Sequence, residues 1–144
     1  MILSTFEKKK HMKYLLLAGR ILFSAIFLLS APGHFSEPSI SFAVAKGLPM
    51  ANVLVPLSGI VEFLGAVSII TGYKSRYGAW LLVLFLVPVT FVMHNFWTLT
   101  DPMQKQMDMA MFMKNIALIG ASLIIAYLGT GPLSVGEKNI STNN

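Results

Sequence analysis

The chain has 144 residues, of which 55% are hydrophobic and 12% are charged, and its formal net charge is +5 at neutral pH. Soluble domains carry about 25% charged residues, and a chain this short cannot hide so much apolar surface in a water-exposed globule. The composition excludes an ordinary soluble domain, and the lack of cysteine excludes disulfides and cysteine-ligated metals.

Four apolar windows are each long enough to cross a hydrocarbon layer of about 30 Å as a helix. They are Tyr14–Ala31, Ala51–Gly72, Tyr77–Leu99 and Ala110–Thr130. The sequence therefore predicts an all-α fold, an integral membrane protein built as a four-helix transmembrane bundle. It predicts a basic N-terminal segment at 1–13, the membrane domain at 14–131 and a polar tail at 132–144.

The first window follows the basic stretch "EKKKHMK", an order that signal peptides share. Its apolar part is long, and "SAPGHF" is a poor cleavage site, so we expect an uncleaved first helix. Basic residues concentrate before this helix, in the turn "TGYKSRYG" and in the tail, whereas the other side carries only Lys46 and Lys105. This asymmetry predicts cytoplasmic N- and C-termini, and the basic segments suit anionic membrane lipids rather than nucleic acid.

Two connections lie on the predicted outer side. In the first, "SISFAVAKG" is typical of a short amphipathic helix at the membrane interface. In the second, the pair Asp101-Pro102 indicates a turn or a helix start.

Every window contains polar residues that are costly in lipid, about 2.5–3.5 kcal/mol for each charge near the middle of a helix. These residues should therefore face the interior of the bundle, a wet cavity or one another. They are Arg20, Glu62, His94, Asn95, Lys114 and Asn115.

Depths counted at about 1.5 Å per residue place Glu62 near the midplane and Arg20 within reach of it. We therefore expect Arg20 and Glu62 to form an intramembrane polar pair, which could be functional or could only fix the helix register. The same count groups a second set of side chains in an outer-leaflet pocket, with His34 as a further candidate. That set is His94, Asn95, Trp97, Lys114 and Asn115.

Simpler interpretations remain open for these residues. Lys114 could extend its ammonium group to the outer head groups, His94 could be an interfacial histidine, and His34 could be a loop residue. Five methionines between Met103 and Met113 are irregularly spaced, so packing explains them better than a copper site. Glu62 is the only core carboxylate and there is no Glu-x-x-His motif, so we expect no metal centre.

Several stretches together resemble the DoxX family of small four-helix bacterial membrane proteins. They are "GRILFSAIFLLSAPGHF" in the first helix, a central Glu before Gly and "TGYKSRYGA" in the second, "MHNFW" in the third, and "FMKN" with "GTGPLSV" in the fourth. The resemblance carries the family's polar positions onto Arg20, Glu62, His94, Lys114 and Asn115. Two departures are Gly136 in place of an Asp and His34 in place of a Lys.

The resemblance implies a multi-pass protein of the bacterial inner membrane, associated with quinone-linked redox complexes or oxidative-stress responses. No haem, flavin or iron–sulfur motif is recognisable, so we expect a non-catalytic accessory subunit or scaffold with oxidoreductase partners and with quinone as its candidate cofactor. The alternative is a small transporter or proton-coupled carrier that uses Glu62 in a homo-oligomer, because intramembrane ionisable residues often mark ion paths.

Overall fold

The computed structural model describes the backbone of residues 2–129 and 131–135, and the side chains of residues 12–129 and 131–135. The described chain is helical, with two short 3-10 turns at Ala31–Phe35 and Phe96–Thr98. The helices are α1 (Ile2–Ser30), α2 (Glu37–Ala45), α3 (Ala51–Thr71), α4 (Ser75–Met93) and α5 (Pro102–Leu128). Gly136 and the rest of the predicted polar tail from residue 136 onward lie outside the described residues.

Four helical segments are long and apolar enough to cross a membrane, which confirms the predicted all-α four-helix transmembrane bundle. They are Met12–Phe35, Ala51–Thr71, Ser75–Thr98 and Pro102–Leu128. Large apolar side chains cover the outside of the bundle, as Leu22 and Leu29 show with 75% and 83% exposure. Such a surface suits lipid rather than water. The cytoplasmic placement of the two termini stays a prediction.

The bundle is built around the α3–α4 hairpin. The short turn after Gly72, whose φ is +77°, makes these two helices antiparallel neighbours, as the turn sequence predicts. α1 packs on α3, and α5 packs on α4. The core between them contains Ala66, Ile69, Ala79 and Leu82, all fully buried.

The two connections on the predicted outer side are ordered by local signals in the sequence. The predicted short helix is α2, and its Ala43 is buried against Ala51 and Val55, which fixes it to α3. Asp101 caps α5 by accepting a hydrogen bond from the Gln104 N–H at 2.8 Å, and Pro102 occupies the first turn. The predicted helix start at Asp101-Pro102 is therefore confirmed.

Close contact between α3 and α4 requires a residue without a side chain at position 65. A Cβ on Gly65 would lie 2.8 Å from the Leu82 side chain and 3.0 Å from the Gly78 carbonyl oxygen. Small residues at such crossings let membrane helices pack backbone to backbone. Gly120 on α5 is different, since an added Cβ would meet nothing within 4 Å.

We expect Gly65→Ala to lower the free energy of unfolding by about 1–3 kcal/mol, because the new methyl group overpacks the α3–α4 contact. Gly120→Ala is the matched control and should be neutral or stabilising by up to about 1 kcal/mol, since alanine favours the helix. Thermal unfolding of both variants in detergent checks this. Equal midpoints for the two variants would contradict the close α3–α4 packing.

Candidate functional site

Glu62 is buried in the middle of α3, where its side chain is 2% exposed. The hydroxyl group of Ser30, at the end of α1, donates a hydrogen bond to Oε1 of this carboxylate. The His34 ring lies on the other side, with its Nδ1 atom 3.1 Å from Oε2. A charged group in an apolar interior needs such polar partners, and here they come from the end of α1 and the turn that follows it.

His34 reaches Glu62 because the 3-10 turn after α1 lies directly on α3. The contact occurs at Gly59, where an added Cβ would come within 2.7 Å of the His34 Cβ and 3.1 Å of the Ala31 carbonyl oxygen. Gly59 lies three residues before Glu62, so both positions share one face of α3. The His34 ring also packs edge-on against Phe85 of α4, with ring centroids 5.5 Å apart.

A second polar cluster lies just beyond the C-terminal end of α4. The Lys46 ammonium group is 3.1 Å from Oδ2 of Asp108, and it donates a hydrogen bond to Oδ1 of Asn95 at 3.0 Å. The His94 Nδ1 atom is 3.6 Å from Oδ1 of the same aspartate. The cluster therefore joins the segment after α2 and the segment after α4 to α5.

A cavity of about 680 Å³ lies between α2, α3 and α4. We call it the lateral cavity, because Leu54, Leu57 and Leu84 on its wall are also exposed on the apolar outside of the bundle. His34 and His94 both contribute to its wall, which is otherwise mostly apolar. The Phe85 ring packs against the His34 ring, and Phe85 lies nine residues before His94. The rings of His34 and His94 are therefore separated by roughly 13 Å along α4. An apolar cavity of this size with a few polar groups is typical of a small-molecule site.

The predicted pairing of Arg20 with Glu62 does not match this arrangement. Arg20 is 4% exposed, and its guanidinium group donates hydrogen bonds to the Leu133 carbonyl oxygen and to the Ser134 hydroxyl oxygen. These partners lie near Gly72, ten residues from Glu62 on α3, which is about 15 Å along the helix. Depths counted from the predicted window ends do not show how two helices align with each other. In the structure Ser30, ten residues after Arg20, is the residue of α1 that lies level with Glu62.

The predicted outer-leaflet pocket is only partly assembled. His94 and Asn95 share the cluster with Lys46 and Asp108. Trp97 is half exposed and packs its ring against Phe96 and Phe112. Lys114 is exposed but remains in electrostatic range of Glu62 and His94, and Asn115 is 4% exposed inside the bundle.

Sequence reasoning left Ser30, Lys46 and Asp108 out of the site. A signal for Asp108 existed, because Asp108, Asn115 and Ser122 recur every seven residues and so share one helix face. Ser122 is fully buried, which shows that this face points inward. Lys46 gave no comparable signal, because only the folding of α2 onto α3 brings it to Asp108.

Comparison with known proteins gives the following similarities. Residues 15–95 match the DoxX family. The chain is 25% identical over 126 residues to inner membrane protein YphA of Escherichia coli, covering 86% of this chain and 89% of that protein. It is 24% identical over 119 residues to inner membrane protein YqjF of the same organism, a match that covers 83% of this chain and 87% of YqjF.

A further similarity extends to a protein of a eukaryote. The ER-derived vesicles protein ERV29 of Saccharomyces cerevisiae is 26% identical over 125 residues, a match that covers 87% of this chain and 34% of ERV29. No solved structure shows significant similarity to this chain.

Double-mutant cycles should separate the observed partners of Glu62 from the predicted one. We expect His34→Ala and Glu62→Gln to be coupled by about 0.5–3 kcal/mol, because the side chains are in contact. Arg20→Ala and Glu62→Gln should be additive to within about 0.5 kcal/mol, since they act about 15 Å apart. Unfolding free energies measured in detergent for each single and double variant test this. Strong coupling only in the arginine cycle would support the pairing expected from the sequence.

Proposed function

This chain belongs to the DoxX family of membrane proteins, and we propose that it is an accessory subunit of a quinone-linked redox complex that holds a quinone-type ligand in its lateral cavity. Location in the bacterial inner membrane agrees with the four membrane-spanning helices and with the similarity to the inner membrane proteins YphA and YqjF. The proposal assigns the electron-carrying group to a partner subunit and ligand binding to this chain.

The observation that carries the proposal is the lateral cavity itself, an apolar space with two histidines in its wall. Quinones of membranes combine an apolar tail with a ring that carries polar oxygens. Such a molecule can enter from lipid between α3 and α4, where Leu57 and Leu84 are exposed. His34 and His94 then supply ring nitrogens for hydrogen bonds to the ligand oxygens.

The wall of the cavity supports a ring-shaped ligand in particular. Phe42 and Phe85 both line it, and flat aromatic side chains pack well against a flat ligand. Pro88 also lines it, where the proline ring replaces a backbone N–H inside α4. These groups give shape, whereas the two histidines give orientation.

We expect the full chain in lipid nanodiscs to bind a short-chain quinone saturably, as measured by quenching of tryptophan fluorescence. His94→Ala should weaken binding by about two- to tenfold, because one hydrogen bond contributes about 0.5–1.5 kcal/mol. Leu123→Ala, on α5 and exposed away from the cavity wall, is the matched control and should bind like the unaltered chain. Quenching that rises linearly with quinone in all three proteins would reflect lipid partitioning and would count against the site.

A second candidate, a proton-coupled carrier acting as an oligomer, is supported by the polar residues inside the bundle. All four long helices contribute at least one buried polar side chain: Ser24 from α1, Glu62 from α3, Thr90 from α4, and Asn115 and Ser122 from α5. The buried Ser24 hydroxyl has no hydrogen-bond partner among the described side chains. Such groups at several depths can carry a proton if water joins them.

For this second candidate, Glu62→Gln should abolish proton uptake into proteoliposomes, since the amide cannot take up and release a proton. Glu37→Gln, on the exposed surface of α2, is the control and should leave uptake unchanged. Uptake followed with a pH-sensitive dye measures the effect. Uptake that persists in Glu62→Gln liposomes would eliminate the carrier.

A further inference from the structure

One charged side chain on the outside of the bundle lies far from both ends of its helix. Lys114 of α5 follows Pro102 by 12 residues and precedes Leu128 by 14, which is roughly 18 Å and 21 Å along the helix. Its side chain is exposed, and it forms no hydrogen bond or ion pair within the part of the chain that the structure describes. An ammonium group at such a depth is costly if it faces lipid alone.

The carboxylates nearest to Lys114 already have other neighbours. Glu62 is within electrostatic range of Lys114, but its side chain is 2% exposed and lies between the Ser30 hydroxyl group and the His34 ring. Asp108, the closest carboxylate along α5, is paired with Lys46 at 3.1 Å. The Lys114 ammonium group is therefore available to a group from outside this chain.

Lys114 belongs to a regular line of residues along α5. Residues at alternating steps of three and four share one face of a helix, and this spacing is the one that packs against a second helix. The α5 seam, as we call this line, consists of Met107, Ala110, Lys114, Ala117, Ala121, Ile124 and Leu128. Six of the seven are exposed and Ala121 is partly exposed, so none of the described helices covers the seam.

The α5 seam is shallow on both sides of Lys114. Alanines occupy it there, whereas the outer surface of α1 carries large side chains such as Leu22 and Leu29. Small residues let the backbones of two membrane helices approach closely. Only 11% of the apolar stretch of α5 is buried inside the bundle, compared with 22% to 33% for the other three spans. Of these spans, α5 therefore has the most room for an additional helix.

We propose that the α5 seam docks a membrane-spanning helix of a partner subunit, and that this helix carries an aspartate or a glutamate that pairs with Lys114. The inference rests on the accessory-subunit part of the proposed function and does not depend on what the lateral cavity binds. Charge complementarity identifies the partner, because ionisable groups within a membrane pair with one another. The alanines beside Lys114 let the partner backbone come close enough for a short carboxylate side chain to reach the ammonium group.

A second copy of this chain does not fit the seam. Two copies inserted in the same direction would meet there about a two-fold axis along the membrane normal, and each seam would face the other at the same level. Lys114 would then lie against Lys114 of the other copy, and the two like charges would repel each other. The charge on the seam therefore favours a different protein over self-association.

An anionic lipid is the other source of negative charge. Lys114 lies six residues beyond Asp108 along α5, roughly 9 Å, and a lysine side chain can extend toward the head groups from such a depth. A lipid phosphate would account for the charge of Lys114 but not for the alanines at steps of three and four beside it. The seam spacing and the charge together favour a helix.

Association with designed membrane-spanning helices tests the inference. The probes are synthetic helices of leucine and alanine that differ only at one central position, which is glutamate, glutamine or lysine. The full chain and each probe are reconstituted in phosphatidylcholine liposomes, and energy transfer from a donor on the chain to an acceptor on the probe measures association. We expect the glutamate probe to associate about tenfold more strongly than the lysine probe, because only the glutamate forms a charge-assisted hydrogen bond with Lys114.

Variants of the chain separate the charge from the shape of the seam. Lys114→Glu should reverse the order, so that the lysine probe associates more strongly than the glutamate probe, a result that misfolding cannot produce. Lys105→Glu, outside the seam, is its control and should keep the original order. Ala117→Phe should weaken all three probes by about fivefold, since the new ring fills the seam. Ile116→Phe, exposed outside the seam, is its control and should leave association unchanged.

Equal association of the glutamate and lysine probes with the unaltered chain would overturn the inference, and so would failure of Lys114→Glu to reverse the order. Energy transfer between copies of the chain that Ala117→Phe abolishes would assign the seam to self-association and would also overturn it. Loss of the glutamate preference when phosphatidylglycerol is added would assign Lys114 to lipid phosphate, with the same consequence. Quinone binding is measured separately, so the failure of either proposal is visible without the other.

Discussion

The burial of one carboxylate in an apolar bundle is the constraint on which the rest of the structure depends. Glu62 lies in the middle of a membrane-spanning helix, where a charge without partners is costly. The chain satisfies it by ending α1 at Ser30 and by folding the following turn back onto α3, so that His34 reaches the second oxygen. Gly59 makes this possible because it leaves space for the turn.

The same fold-back creates the lateral cavity. Once the turn after α1 is held against α3, α2 follows directly and packs on α3 beside α4. The space between these three helices is then bounded by His34 at one level and His94 at another. His34, which lies against Glu62, therefore also forms part of the wall on which a ligand would bind.

The two ends of the bundle use polar groups in different ways. At one end Arg20 binds the segment after α5 through the carbonyl oxygen of Leu133 and the hydroxyl group of Ser134, which fastens the chain after the last helix. At the other end Lys46, just after α2, pairs with Asp108 of α5, and Asp108 also lies beside His94 of the cavity wall. Ligand binding is proposed only in the lateral cavity, whose wall contains both His34 and His94.

The sequence by itself determined the lipid environment, the four membrane-spanning helices, the α3–α4 hairpin and the inward polar residues Arg20, Glu62 and Asn115. Those features follow from composition and helical periodicity, which act over a few turns of one helix. Only the tertiary structure decided which polar groups meet, since Ser30, His34, Lys46 and Asp108 are brought to their partners by connections whose path no periodicity describes. Arg20 is an example. Counting residues along its helix gives only an approximate depth in the membrane, whereas its hydrogen-bond partners depend on where the chain folds back after each helix.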